Sequence, residues 1–171
     1  LLGLVKSGAL NEADEEEVFR LMTKDCDHAT NLIEELLEIG RLEDEGFILK
    51  KADSDLNAFL EKSLSQFEGI AGKKNISLVK SWEKGLKPIK IHEKEFDHVV
   101  NNLISNAIKF TPAGGKIEIK TKAMTCDKVS IEVSDTGIGI SRKLLPVIFD
   151  KFSKAGRIGI EGEKSTGLGM W

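Results

Sequence analysis

Residues 93–110 read EKEFDHVVNNLISNAIKF, and TPAGG follows at 111–115. Phe96, Val99, Val100, Leu103, Ile104, Ala107 and Ile108 recur at three- and four-residue steps, which predicts an amphipathic helix with its apolar face packed inward. Asn102 and Asn106 stand four apart and therefore share a face, one turn from each other. Thr111–Gly115 is a turn. Beyond it, Lys116–Ala123 and Lys128–Ser134 alternate apolar and polar, predicting an antiparallel strand pair. Upstream, Phe47–Lys50, Ile76–Trp82 and Pro88–Ile91 read as strands. A helix capped by Asp53 or Ser54 presents Leu56, Phe59, Leu60, Leu64 and Phe67 on one face. Ser141–Ile148 predicts a short helix, and Ser153–Ser165, rich in Gly, Lys and Glu, a loop. The expected fold is α+β, a two-layer α/β sandwich of one helical and one sheet layer.

The N-terminal part differs in character. Asn11 reads as an N-cap before the acidic turn Glu12, Asp14, Glu15, Glu16 and Glu17. From there Val18, Met22, Ala29, Leu32, Leu36 and Ile39, widened by Leu21, Ile33 and Leu37, carry a helical stripe to about Glu45, where Gly46 ends it. Some 30 residues of helix span about 45 Å. An apolar stripe that long needs a partner helix, in a hairpin or a bundle. Leu1–Val5 reads as the last turns of an earlier helix. The expected division is residues 1–46, the remnant of a helical hairpin, and 47–171, the α/β domain. The stripe fits a homodimer through a four-helix bundle or an intrachain hairpin equally well.

Lys and Arg number 25 against 28 Asp and Glu, a net charge of −3, whereas a phosphate backbone calls for surplus cations; nucleic acid is not the expected partner. No apolar run approaches the roughly 18 residues of a membrane span, and Leu1–Val5 lacks the marks of a signal peptide. Cys26 and Cys126 lie far apart, outside any CxxC pair, so a reduced, cytoplasmic setting is expected. His28, His92 and His98 lack metal-ligand spacing, and HExxH is absent.

Four short segments carry chemistry. In the first, the Asn102 and Asn106 amides can offer oxygens to a hard cation such as Mg²⁺, which takes its remaining ligands from water and phosphates. Lys109 can reach a phosphate as a point charge. The same asparagines, with Asn101, read equally as surface residues. In the second, Asp135-Thr136-Gly137-Ile138-Gly139-Ile140, a carboxylate at a strand end can accept the exocyclic amine of adenine, and glycines let backbone approach a flat ligand. It also reads as a plain glycine turn. The aspartic-protease Asp-Thr-Gly signature is disfavoured, because Ile138 stands where Ser or Ala usually follows. The third, Phe149-Asp150-Lys151-Phe152, reads alone as core packing. In the fourth, Ser165-Thr166-Gly167-Leu168-Gly169-Met170, paired glycines ahead of a helix form a phosphate cradle. Glu163 stands where a P-loop needs glycine, and Arg142 where a dinucleotide fingerprint needs its third.

In this order and spacing, the four segments resemble the asparagine, first glycine, phenylalanine and second glycine boxes of bacterial sensor histidine kinases. These are two-component proteins with the Bergerat-type ATP-binding domain of the GHKL superfamily. The continuation Phe110-Thr111-Pro112-Ala113-Gly114-Gly115-Lys116-Ile117 is similar to the kinase version. The resemblance covers about Phe47–Trp171, and Leu1–Glu45 looks like part of the dimerisation and phosphotransfer hairpin. It implies ATP and Mg²⁺ as ligands. Asn102 and Asn106 would hold metal and triphosphate, with Asn102 and Lys109 catalytic and Lys109 on phosphate. Phe110 would flank the nucleotide, and Asp135 would read the adenine amine on a wall shaped by Gly137 and Gly139. Lys151 takes the place of a basic residue that meets the γ-phosphate. Ser153–Ser165 would be the ATP lid, with Arg157 a contact. Gly167, Leu168 and Gly169 would close over the phosphates, and Ile140, Phe152 and Thr166 complete the nucleotide set.

The implied activity is phosphoryl transfer from ATP to a histidine and on to a response-regulator aspartate. The implied assembly is a homodimer through the N-terminal helices, cytoplasmic, with any membrane anchor in segments not present here. The alternatives are another GHKL protein kinase, such as an anti-sigma serine kinase, or a non-catalytic nucleotide-binding scaffold. Two departures stand out. No histidine here precedes an acidic residue and a Pro-Leu pair, so the acceptor is expected to be missing. The helix and closing strands that follow the second glycine box in the family are expected to be missing too, since the sequence stops at Trp171.

Overall fold

The computed structural model describes residues 12–42, 50–125, 128–150 and 159–160, and divides the chain into two compact units, residues 1–48 and 49–171. The first unit contains α1 (Glu12–Leu42), 31 residues long. Of the expected stripe, Val18 is buried and Leu21 and Leu32 half-buried, whereas Met22, Ile33, Leu36 and Leu37 are exposed, as is Phe19. A helix with so much apolar surface outward suits packing on another helix. Leu1–Val5, the Asn11 cap and the run past Leu42 lie outside the described residues.

The second unit begins with β1 (Ala52–Ser54), α2 (Leu56–Lys73), β2 (Ser77–Ser81) and β3 (Ile89–Ile91). It continues with α3 (Glu93–Phe110), β4 (Lys116–Thr125) and β5 (Lys128–Asp135). Two expectations at its start need correction. Lys50 lies in no strand, and the rest of Phe47–Lys50 falls outside the described residues. The α2 cap is Asp55, whose Oδ1 accepts from the Ala58 N–H at 3.1 Å. Asp53 and Ser54 are unavailable for capping because they pair with Lys90 and Ile89 of β3, forming a two-stranded antiparallel sheet.

The main sheet runs β2-β4-β5, with β2 parallel to β4 and β4 antiparallel to β5. A parallel pair needs a crossover, and α3 provides it. α2 and α3 form the helical layer over one sheet face. Leu56, Leu60 and Leu64 of α2, Val100, Ile104 and Ile108 of α3, and Ile117 and Ile119 of β4 make one buried core. Lys116, Glu118 and Lys120 alternate onto the other face, where Glu118 pairs with both lysines.

Polar ties set how the layers sit. Asp97 on α3 accepts from the Ser63 hydroxyl on α2 and from the Asn101 amide at 3.0 Å, while Asn101 Oδ1 accepts from Gln66 on α2 at 3.0 Å. Buried Thr121 donates to Asn57 Oδ1 at 3.0 Å and accepts the Glu83 N–H at 2.9 Å. α2 ends in a Schellman arrangement: the Ile76 N–H closes on the Ala71 carbonyl and Asn75 N–H on Gly72, with Asn75 at φ 54°. Asparagine tolerates that left-handed position better than most residues.

Lys80, from β2, bridges Glu61 at 2.8 Å and Glu68 at 2.7 Å on α2, and Trp82 Nε1–H donates to Glu61 at 2.9 Å. Burial alone pushes the Lys80 ammonium down; its two carboxylates outweigh that and hold it up. Hydrogen bonds from Lys80 and then Trp82 hold the Glu61 carboxyl below its usual range. A depressed carboxyl contributes stability that is present above its unfolded value and lost as pH falls through its folded one. Glu61→Gln should therefore narrow the difference between urea unfolding free energies at pH 7 and pH 3. Glu61 is half-exposed, so the change is no more than about 0.5 kcal/mol.

The expected helix Ser141–Ile148 is replaced by a 3₁₀ turn, Leu145–Val147. Its bonds all run i to i−3, Leu144 to Ser141, Val147 to Leu144 and Asp150 to Val147. Pro146 lacks the N–H that an α-helix needs there.

Candidate nucleotide site

The site is built on α3. His92 caps it, Nδ1 accepting from the Glu95 N–H at 3.4 Å, and Glu93 and Glu95 follow in the first turn. Val100, Ile104, Ala107 and Ile108 are buried, which rotates Asn102 and Asn106 to a half-buried flank of the helix. The three asparagines then separate by role. Asn101 is committed to Asp97 and Gln66. Neither the Asn102 nor the Asn106 side-chain amide has a hydrogen-bond partner among the described residues. Both amides are half-buried, and their oxygens and NH₂ groups are open to solvent or to a ligand.

The C-terminal end of α3 is closed in an unusual way. The cap residue Thr111 is extended and Pro112 follows, so no left-handed glycine closes the last carbonyls. Partners from elsewhere do so: the Ile138 N–H donates to the Phe110 carbonyl at 3.1 Å, and the Ile160 N–H to the Lys109 carbonyl at 3.2 Å. Lys109 Nζ lies 5.6 Å from the Phe110 ring centroid, within cation–π range.

The loop after β5 is fixed from two sides. Thr136 extends the β-hairpin, its N–H donating to the Lys116 carbonyl at 3.0 Å and its hydroxyl oxygen accepting the Lys116 N–H at 2.9 Å. Asp135 is exposed at the strand end, and its Oδ1 accepts the Gly137 N–H at 2.8 Å. Gly137 must be glycine: a Cβ would collide with the Phe110 carbonyl and Asp135 Oδ1. Gly139 has φ +65°, a left-handed position.

Thus Phe110 at the end of α3 meets the Asp135–Ile140 loop directly, with Lys109 beside it and Asn106 one turn behind. Ile140 is exposed on that loop. Lys151, Phe152, Arg157, Thr166, Gly167, Leu168 and Gly169 lie outside the described residues. Gly159–Ile160 lie in the expected lid Ser153–Ser165, but their bond to the end of α3 was not expected. Its signal was a repeated dipeptide, because Gly137-Ile138 and Gly159-Ile160 supply the two N–H groups that close consecutive carbonyls. Among the described residues no three His, Cys, Asp or Glu side chains converge on a metal-sized site. Oxygen donors from this part of the chain to a hard cation would be amides, which suits an ion that a triphosphate also ligates.

Residues 91–171 match the family model of histidine kinase-, DNA gyrase B- and HSP90-like ATPases. Sensor protein SrrB of Staphylococcus aureus strain MRSA252 is 28% identical over 173 residues, which cover 98% of this chain and 28% of SrrB. Sensor histidine kinase TmoS of Ectopseudomonas mendocina is 33% identical over 138 residues, 79% of this chain and 14% of TmoS. Residues 91–171 carry a GHKL ATP-binding domain, similar to that of bacterial sensor kinases. It spans less than a third of either curated relative.

Solved structures agree on the GHKL fold. A catalytic domain of histidine kinase ThkA superposes with TM-score 0.61 at 28% identity, covering 70% of this chain and 76% of that one. Full-length ShkA in complex with AMPPNP superposes with TM-score 0.76 at 24% identity, covering 98% of this chain and 34% of ShkA. Among the described residues no helix is long and apolar enough to cross a membrane.

Proposed function

We propose that this chain is the ATP-binding catalytic core of a two-component sensor kinase, presenting the γ-phosphoryl of ATP to a histidine that it does not itself contain. The observation that carries this reading is the pair of unpartnered amides, Asn102 and Asn106, on a helix whose end is fastened to the Asp135–Gly137 loop through Phe110. In this reading Asp135 accepts the adenine amine, and Phe110 flanks the base on a wall formed by Gly137, Gly139 and Ile140. Lys109 offsets phosphate charge, and Asn102 and Asn106 supply oxygens to Mg²⁺. The ion, when bound, neutralises charge on the β- and γ-phosphates. Lys151, Phe152 and Thr166–Gly169 complete the phosphate side. A neutral histidine nitrogen attacks the γ-phosphorus in line, the bond to the bridging oxygen breaks, and ADP leaves. The phosphoryl group then passes to an aspartate of a response regulator.

We assign residues 1–46 to the dimerisation and phosphotransfer hairpin and 47–171 to the catalytic domain. Exposed Phe19, Ile33, Leu36 and Leu37 on α1 support pairing with helices of a second copy.

Calorimetry with AMPPNP tests the reading. Binding should require Mg²⁺ and weaken at least about tenfold in Asn106→Ala, the loss of one charge-assisted ligand contact. Binding indifferent to both would favour a vestigial scaffold. Given radiolabelled ATP, the 171-residue chain should acquire no acid-labile phosphate on His28, His92 or His98.

A further inference from the structure

The last turn of α3 carries Lys109 and Phe110, and it has no cap of its own. Helix ends fray unless their terminal carbonyls find partners. Here the two partners are backbone N–H groups from segments far apart in sequence, Ile138 on Phe110 and Ile160 on Lys109. The first is reinforced by the close approach of Gly137 to the Phe110 carbonyl and by the Gly137–Asp135 bond. The second stands at Gly159–Ile160, where Gly159 is buried and the Ile160 side chain is 44% exposed. The side chain is only partly covered, so its packing and the N–H can be separated by substitution.

We infer that the Ile160 N–H is a positioning group for the nucleotide site: it closes the Lys109 carbonyl and so holds the final turn of α3 in the geometry that aims Lys109 and Phe110. The inference rests on the nucleotide-binding reading. It assigns to residue 160 a role that its side chain does not reveal. Ile138 and Ile160 bond consecutive carbonyls, so together they fix both the tilt and the rotation of that turn. Losing the Ile160 bond removes the partner of the Lys109 carbonyl and loosens that end of the turn. The ligand groups then sample several directions, and binding must select one of them. One backbone hydrogen bond corresponds to about a fivefold change in an equilibrium.

The test uses the 171-residue chain. Ile160→Pro removes the N–H, and Ile160→Ala keeps it while removing most of the side chain. With AMPPNP and Mg²⁺, the proline variant should bind about fivefold more weakly and the alanine variant within twofold of wild type. Both should unfold near the wild-type temperature. Wild-type affinity in Ile160→Pro overturns the inference, and so does equal weakening in Ile160→Ala. Amide hydrogen exchange on the nucleotide-free wild-type chain gives a second, independent measurement. The Ile160 amide should exchange at least about tenfold more slowly than in an unstructured peptide, and an unprotected amide overturns the inference even if Ile160→Pro does not fold. Failure of the nucleotide reading looks different: wild type itself then shows no binding that depends on Asn106, whatever residue 160 is.

Discussion

Asp135→Ala should abolish adenine-nucleotide binding, weakening it by about 100-fold or more, while the domain stays folded. The carboxylate is exposed at the end of β5, so its removal leaves no hole in the core. One oxygen accepts the Gly137 N–H at 2.8 Å, and in the proposed reading the other takes the exocyclic amine of adenine. Truncation removes a charge-assisted acceptor and loosens the turn that shapes the wall behind it, together about 3 kcal/mol. Asp135→Asn separates the two roles. Its amide oxygen can still hold the Gly137 N–H, which turns the NH₂ group toward the base. Donor then faces donor with ATP, but donor faces acceptor with the 6-oxo group of ITP. The asparagine variant should therefore lose ATP and gain preference for ITP, as measured by competition calorimetry. Unchanged selectivity would remove Asp135 from the base-reading role.

Gly137→Ala should be the most disruptive single-methyl change in the loop. The added carbon would meet the carbonyl of Phe110, which is the end of α3, and the Asp135 carboxylate, which is held in its own turn. Neither can yield without moving the helix end or breaking the Gly137–Asp135 bond. Overpacking of this kind costs about 3 kcal/mol. Gly139 supplies the contrast. Its φ of +65° strains any side chain, yet a Cβ there meets nothing within 4 Å. Gly139→Ala should cost only about 1 kcal/mol. Urea unfolding of the two variants ranks them, and a Gly137 variant as stable as the Gly139 one would mean that the loop does not press on the helix.

Much of this arrangement was legible in the sequence because it depends on short-range periodicity. The apolar steps of Glu93–Phe110 predict the bounds of α3, although Val99, expected inward, is exposed, and strict alternation predicts the β4–β5 hairpin. The composition of Thr111–Gly115 places the turn between them. What escaped was decided by distant partners. Asp53, Ser54 and Asp55 all favour capping, and only the pairing of the first two with β3, over thirty residues on, leaves Asp55 to do it. Nothing in the asparagine run distinguishes Asn101 from Asn102; Asp97 one turn earlier on α3 and Gln66 across the helix layer do. Ser141–Ile148 looked helical by its apolar spacing, but Pro146 reduces it to one 3₁₀ turn. The proposed site residues Asn106, Asp135 and Gly137 are those that the order of the motifs points to. The hold on Lys109 by Ile160 was not legible there, since a backbone N–H leaves almost no mark on composition.

The parallel pairing of β2 with β4 also bears on how the protein is made. Ile117 and Ile119, which cover the apolar face of α3, are translated after that helix, and β2 has no sheet neighbour until β4 exists. At roughly 5–20 residues per second, a nascent chain therefore exposes α2 and β2 for about two seconds or more, and the end of α3 for about a second or less, before Lys116 is added. During that interval the apolar faces of α2 and α3 have no sheet to cover them. Slow codons just before β4 would lengthen the exposure, and slow codons after β5 would not.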